Sequence, residues 1–333
     1  MRRITLALLT ALVAAFALAA CGSDDDGGST GTSTAAAPAE TTAEAAPEST
    51  AIERNPDNQK VEITVGSKNF TEQKVLGEVY AQALEAAGYT VDTELNLGDE
   101  KTALKALEDG QIDAYPEYTG TALLSFFEVP SDKLPTDPDE AYRQVETDFA
   151  KDGIAALQPT PFTSSNEVAL TRERAEQLGV TTISDLKGKE ADLKLYGSPE
   201  CRQRLDCLLG LEKVYGLKLR DNFTPVDIGL RHEVLENGDA DLSIVFTTDP
   251  QIERNDEVLL EDDMGMFPPY NSTFLVKQSF LDEAGPDLQA TVELVNQGLT
   301  AEAMQELNAR VDLDKETPAQ VASAYLQESG YVE

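Results

Sequence analysis

Three short clusters set aromatic rings beside hydroxyls, prolines and glycines in loop-like surroundings. They are Tyr115-Pro116-Glu117-Tyr118-Thr119-Gly120-Thr121, Phe246-Thr247-Thr248-Asp249 and Phe267-Pro268-Pro269-Tyr270-Asn271. Ring faces attract cations and apolar groups, and hydroxyls supply directed hydrogen bonds, so such clusters suit reversible binding of a small molecule. Tryptophan is absent, so an aromatic box here must be made of Tyr and Phe. The groups for covalent catalysis are missing. A single histidine, His232, removes the usual Ser/His and Cys/His pairs. There is no GxSxG, no phosphate-cradling GxxxxGK and no zinc ligand set. His232 lies between Arg231 and Glu233 in a charged, helix-like stretch and is expected to face solvent. Asp113 and Glu117 could form an acid/base pair, but among 61 acidic residues they read as surface acids.

The elements around these clusters follow from hydrophobic periodicity and turn residues. Residues 61–65 alternate like a strand, and Gly66-Ser67-Lys68-Asn69 makes a turn. Residues 71–87 read as a helix with Thr71 as its cap and Gly88 as its stop. Residues 91–97 form a second strand, 101–108 a helix ended by Gly110, and 112–115 another strand or loop. Further on, 168–171, 193–196 and 242–246 read as strands, and 205–215 and 231–237 as helices. From Ser279 the pattern is helical, broken at Gly285-Pro286 and Thr317-Pro318. This alternation predicts an α/β fold with largely parallel sheets. In such folds the carboxyl ends of strands line the ligand crevice, which is where the aromatic clusters fall. A body of about 275 residues suits two α/β lobes better than one.

The front of the chain gives a location. Arg2 and Arg3 precede an uncharged, Ala/Leu-rich run over 4–17, closed by Leu18-Ala19-Ala20-Cys21. Charge, apolar core and small residues make residues 1–20 a secretory signal. The cysteine after small residues resembles the bacterial lipobox, which implies cleavage before Cys21 and a diacylglycerol on its sulfur. Two acyl chains anchor a protein stably. Residues 21–58 then read as the lipidated cysteine and a disordered tether of small, hydroxyl and acidic residues. The protein is expected on the extracytoplasmic face of the cell membrane, lipid-anchored through Cys21. No second segment approaches the ~18 apolar residues of a membrane span. A net charge of −35 repels nucleic acid and anionic lipid. Cys201 and Cys207, an even pair in an oxidising compartment, are expected to form a disulfide worth roughly 2 kcal/mol for so short a loop. No metal and no cofactor are expected.

The aromatic clusters, taken with Gly66-Ser67-Lys68-Asn69-Phe70-Thr71-Glu72-Gln73, resemble the substrate-binding proteins of ABC transporters for glycine betaine and related quaternary-amine osmoprotectants. The match runs in order over roughly residues 60–333. It implies a two-lobed, periplasmic-binding-protein-like α/β fold of type II with a ligand cleft between the lobes. Lobe 1 is expected to comprise 59–162 plus 268–333 and lobe 2 residues 163–267, with crossings near 160–166 and 264–269. Carried over by motif, Tyr118 and Tyr270 fill two walls of a tyrosine box for the trimethylammonium head, and Phe246 stands where the family commonly has Tyr. The ligand carboxylate falls to Lys68, Thr121 and Arg204. The resemblance further implies a monomer that hands its solute to a membrane permease and does no chemistry.

Elementary chemistry agrees with that division of labour. A trimethylammonium group has no N–H and is weakly hydrated, so a ring face attracts it with little desolvation, at ~2 kcal/mol per ring. The family often has a further Tyr where Val168 stands, in Asn166-Glu167-Val168-Ala169, so this box is thinner and more apolar. That leaves choline, carnitine, an ectoine-like solute or a zwitterionic amino acid as alternative ligands. An extracytoplasmic enzyme or adhesion lipoprotein on the same fold is the alternative of another class.

Overall fold

The computed structural model describes residues 51–130 and 133–333. The expected signal segment, Cys21 and the part of the tether up to residue 50 lie outside the described residues, but 52–58, also expected to be disordered tether, pack on the body: Ile52 N donates to Tyr331 O at 2.8 Å and Asn58 Nδ2 to Ala87 O at 3.0 Å. Among the described residues, no helix is long and apolar enough to cross a membrane.

The first four strands are β1 (Glu62–Gly66), β2 (Thr90–Glu94), β3 (Ala114–Tyr118) and β4 (Ile154–Ala156). The chain then builds a second sheet from β5 (Asn166–Thr171), β6 (Leu195–Gly197), β7 (Phe223–Pro225), β8 (Leu242–Phe246) and β9 (Glu257–Leu259). It returns to the first sheet with β10 (Ser272–Lys277). Strand order is β2-β1-β3-β10-β4 in one sheet and β7-β6-β8-β5-β9 in the other. Each sheet anchors one lobe.

The sheets are mixed, where the sequence pattern suggested largely parallel ones. In the first, β1 runs parallel to β2 and β3, but β10 is antiparallel to β3 and β4. In the second, β6 is parallel to β7 and β8, but β5 is antiparallel to β8 and β9. The reason lies in the connections. Parallel neighbours need a crossover, usually a helix, to bring the chain back to the same edge. β5 and β10 are entered directly from the other lobe and carry no such constraint.

Both sheets are covered on both faces, as strand alternation requires. In β10, Phe274 and Val276 join one core and Leu275 another. In β8, Leu242 and Ile244 join one core and Val245 another. The helix Thr71–Ala87 buries Val75, Leu76, Val79, Tyr80, Ala83 and Leu84 at helical spacing. It ends at Gly88, whose φ of +108° is a left-handed stop. Its start differs from expectation. Phe70 is the N-cap, and the Thr71 hydroxyl turns away to donate to Asp312 at 2.6 Å, a charged acceptor that outcompetes the helix end.

The two crossing segments lie side by side. Thr163 and Asn271 form an antiparallel bridge. Tyr270 N donates to Thr163 Oγ1 at 3.0 Å, and Ser164 N donates to Tyr270 O at 3.1 Å. Tyr270 therefore sits where the two lobes join.

Candidate ligand-binding site

A cavity of about 350 Å³ opens between the lobes, and Lys68, Tyr118, Thr121, Arg204, Phe246 and Tyr270 all line it. The first lobe contributes Lys68 from the turn after β1, and Tyr118 and Thr121 from the end of β3. The second contributes Arg204 from the loop after β6, and Phe246 from the end of β8. These are strand carboxyl ends, the positions where an open α/β sheet meets its ligand.

Asp206 organises one end of the cavity. It is fully buried, and its two oxygens accept four donors. Arg204 gives Nε at 2.8 Å and Nη2 at 2.5 Å, Asn166 gives Nδ2 at 2.9 Å, and the Tyr270 hydroxyl donates at 2.7 Å. Burial alone would raise the Asp206 carboxyl, but the adjacent Arg204 guanidinium outweighs it and holds the group below its ordinary value. Arg204 Nη1 also meets Glu100 of the first lobe at 3.1 Å, so this ion pair spans the cleft. A disulfide joins Cys201 and Cys207 and brackets Arg204, and Cys207 itself lines the cavity.

The Tyr270 ring is fixed from a second side. A Cβ built at Gly120 would lie 2.6–2.7 Å from three of its ring carbons, so only glycine lets the backbone lie this close.

Lys68 and Tyr118 form the middle. The Lys68 ammonium is bonded to Glu117 and lies 4.6 Å from the centre of the Tyr118 ring. Glu117 is completely buried and also accepts from Tyr118 N at 2.7 Å and the Tyr115 hydroxyl at 3.2 Å. It is not the surface acid the sequence suggested. Burial pushes the Lys68 ammonium down and the Glu117 carboxyl up, and the contact between them opposes both shifts. The Tyr118 hydroxyl donates to Glu72 at 2.6 Å, so its ring is held edge and face.

Phe246 lies at the other end. Its ring is 5.2 Å from Phe70 of the first lobe and 4.5 Å from the Arg231 guanidinium carbon. Arg231 donates Nε to Asp249 at 2.8 Å, bonds the same carboxylate through Nη2, and bonds the Ile228 carbonyl through Nη1. Asp249 Oδ2 also accepts from Phe246 N at 2.8 Å. Burial would raise Asp249, but Arg231 and His232 prevail and hold it down at about 2.

His232 corrects an expectation, since it is buried rather than facing solvent. Its Nδ1 meets Glu257 at 2.8 Å and its Nε2 meets Asp249 at 2.9 Å. Burial would lower the imidazole pKa, yet hydrogen bonds to the two carboxylates outweigh it and raise it. Among the described residues, no group of His, Cys, Asp and Glu is placed to hold a metal ion.

Several residues of this site escaped the sequence reading. Phe70 was inside a quoted string but had no role; it touches both Tyr118, at 6.3 Å, and Phe246. Glu100, Asp206 and Arg231 were lost among many charges. Val168, where another ring was sought, is buried in the core of the second lobe.

A two-lobed α/β body with a cleft of rings and paired charges between its lobes has the form of a small-solute-binding protein. The family described as the substrate-binding domain of ABC-type glycine betaine transport systems matches residues 61–328, and the chain belongs to it. The chain is 32% identical to the "Glycine-betaine-binding protein" of Pseudomonas aeruginosa, over 80% of this chain and 87% of that one. It is 28% identical to the "Ergothioneine transport permease/ergothioneine binding protein EgtU" of Helicobacter pylori, over 80% of this chain and 48% of that longer protein. A solved structure of a "glycine betaine/carnitine/choline ABC transporter" protein shares the fold, with a TM-score of 0.65, 24% identity, and coverage of 81% of this chain and 100% of the other. The chain is thus the solute-binding component of an ABC transporter rather than an enzyme.

Proposed function

We propose that this protein captures a zwitterionic quaternary-amine osmoprotectant, with glycine betaine as the parent compound, and presents it as a monomer to a membrane permease. Lipidation at Cys21 would keep it on the extracytoplasmic face of the membrane. Lobe 1 would be residues 59–162 plus 268–333 and lobe 2 residues 163–267, closing about the joined crossings. Tyr118, Phe246 and Tyr270 are the ring walls, and Lys68, Thr121 and Arg204 hold the carboxylate.

The observation that carries this reading is convergence. Six residues spread over 203 positions of sequence, from Lys68 to Tyr270, line one cavity of about 350 Å³. Rings and carboxylate-binding groups are therefore available to the two ends of one small solute. Ring contacts at ~2 kcal/mol each, and charge-assisted hydrogen bonds at roughly 1.5–3 kcal/mol each, reach the ~8 kcal/mol of micromolar binding only in combination.

Calorimetric titration with glycine betaine tests the reading. The intact chain should bind it, and Tyr270→Ala should abolish the heat of binding while circular dichroism still reports a folded protein. If neither titration calorimetry nor thermal shift detects any zwitterionic quaternary amine, the assignment fails. Carnitine is the second reading, favoured by 26% identity over 83% of this chain to the "Carnitine transport binding protein OpuCC" of Listeria monocytogenes.

A further inference from the structure

We propose that Arg231 is a specificity-determining residue of this site. It occupies the Phe246 ring and offers hydrogen-bond donors to the cavity, so that the protein prefers zwitterions carrying a further acceptor group over glycine betaine itself. This rests on the function proposed above and narrows its ligand class.

Three observations converge on it. Arg231 lines the cavity yet is only 8% exposed, so its charge faces the cleft rather than bulk water. Its guanidinium carbon lies 4.5 Å from the Phe246 ring centre, within stacking range. A trimethylammonium group reaching for that ring would find it taken, and by a like charge. Of the five N–H groups of a guanidinium, Nε and one from Nη2 go to Asp249 and one from Nη1 goes to Ile228 O. The other two have no protein acceptor among the described residues.

Arg231 is also held where it is. Asp249 grips it through both oxygens and is itself fixed by His232 Nε2 at 2.9 Å and Phe246 N at 2.8 Å. The side chain cannot swing away to release the ring without breaking a buried ion pair. Of the three proposed ring walls, Tyr118 carries Lys68 and Phe246 carries Arg231, while no protein cation lies over Tyr270 among the described residues. The onium is thereby directed to the Tyr270 ring.

Glycine betaine has a carboxylate and three methyls and nothing more. Once Lys68 and Arg204 hold its carboxylate, the two remaining Arg231 donors gain no partner from the ligand, which forgoes affinity. A zwitterion with a hydroxyl, carbonyl or thione in addition to its onium and carboxylate can pair them. Discrimination through unpaired buried donors is stronger than discrimination by size.

The test is titration calorimetry of the full chain and its Arg231→Met variant with three probes: glycine betaine, carnitine and ergothioneine. The wild type should bind at least one acceptor-bearing probe more tightly than glycine betaine. Arg231→Met bares the ring and removes the donors, so glycine betaine should gain about tenfold and that probe should lose about tenfold. If the methionine variant does not fold, Arg231→Lys keeps the charge but loses the planar fork, and the affinity ratio should move the same way. An unchanged ratio in a folded variant, or equal weakening for all probes, overturns the inference alone. A wild type that binds none of the three overturns the proposed function and this inference with it.

Discussion

Asp206→Asn removes one charge and keeps the shape, and it probes the centre of the site directly. The carboxylate accepts Arg204 Nε at 2.8 Å on Oδ1. On Oδ2 it accepts Arg204 Nη2 at 2.5 Å, Asn166 Nδ2 at 2.9 Å and the Tyr270 hydroxyl at 2.7 Å. An amide has only one oxygen. Placed at the Oδ2 position it keeps three bonds and turns its NH2 against Arg204 Nε, donor facing donor. A hydrogen bond to a charged group contributes roughly 1.5–3 kcal/mol and a neutral one roughly 0.5–1.5 kcal/mol, so each retained bond weakens by about 1 kcal/mol. Breaking a buried ion pair costs roughly 3–5 kcal/mol. Glu100, 3.1 Å from Arg204 Nη1, keeps part of the neutralisation. The loss should therefore fall at the low end, about 3 kcal/mol, and the thermal midpoint should drop by roughly 6 °C for a body of this size. Solute affinity should fall about tenfold, because Arg204 leans toward Glu100 and Tyr270 loses its anchor. Differential scanning fluorimetry and titration calorimetry read the two effects. A midpoint within 1 °C of wild type together with unchanged affinity would falsify the claim that this carboxylate positions both the arginine and the ring.

Gly120→Ala sets a methyl 2.6–2.7 Å from three ring carbons of Tyr270, so the ring must retreat by roughly 1 Å to reach ordinary contact. Overpacking costs about 1–3 kcal/mol and better helix propensity returns up to about 1 kcal/mol. The midpoint should thus fall little while affinity drops about tenfold, and wild-type affinity by calorimetry would contradict the tight seating of the ring. The buried His232 imidazole has its folded pKa raised by Asp249 and Glu257. Its contribution to stability is then fully present below the unfolded value of about 6.5 and lost as pH rises through the higher folded value. His232→Gln should flatten the decline of thermal midpoint on the alkaline side, and an undiminished decline would show that another group titrates there.

Much of the fold was legible because its signals are local. The helix Thr71–Ala87 was bounded on both sides by residue type, with Gly88 as its stop, and only its capping residue was misjudged. Strand direction was less legible, since whether β5 runs with or against β8 depends on where the chain comes from, and periodicity carries no such information. The cavity residues were legible only where a motif string named them. Phe70 sat inside such a string, but nothing in sequence shows that it meets Phe246 across the cleft. Glu117 and His232 were misread for one reason. In a chain with 61 acids, any charged residue looks solvated, and burial depends on partners that are distant in sequence. Lys68 lies 49 positions from Glu117, and Glu257 lies 25 from His232.

The charges of the cleft also argue for a ligand with no net charge. Each cation lining the cavity is already paired: Lys68 with Glu117, Arg204 with Asp206 and Glu100, Arg231 with Asp249. An anion entering alone would meet these carboxylates as well as the cations, and would first have to cross the field of a chain carrying −35. A simple cation would be drawn in by that field, yet two of the three ring walls are held by Lys68 and Arg231. A zwitterion escapes both penalties. On the proposed assignment its carboxylate would share Arg204 and Lys68 with their partners, its onium would take the Tyr270 ring, and no unbalanced charge would be buried. Selectivity then resides in the short-range arrangement of paired charges and rings rather than in long-range attraction, as it must in a protein whose overall charge attracts cations indiscriminately.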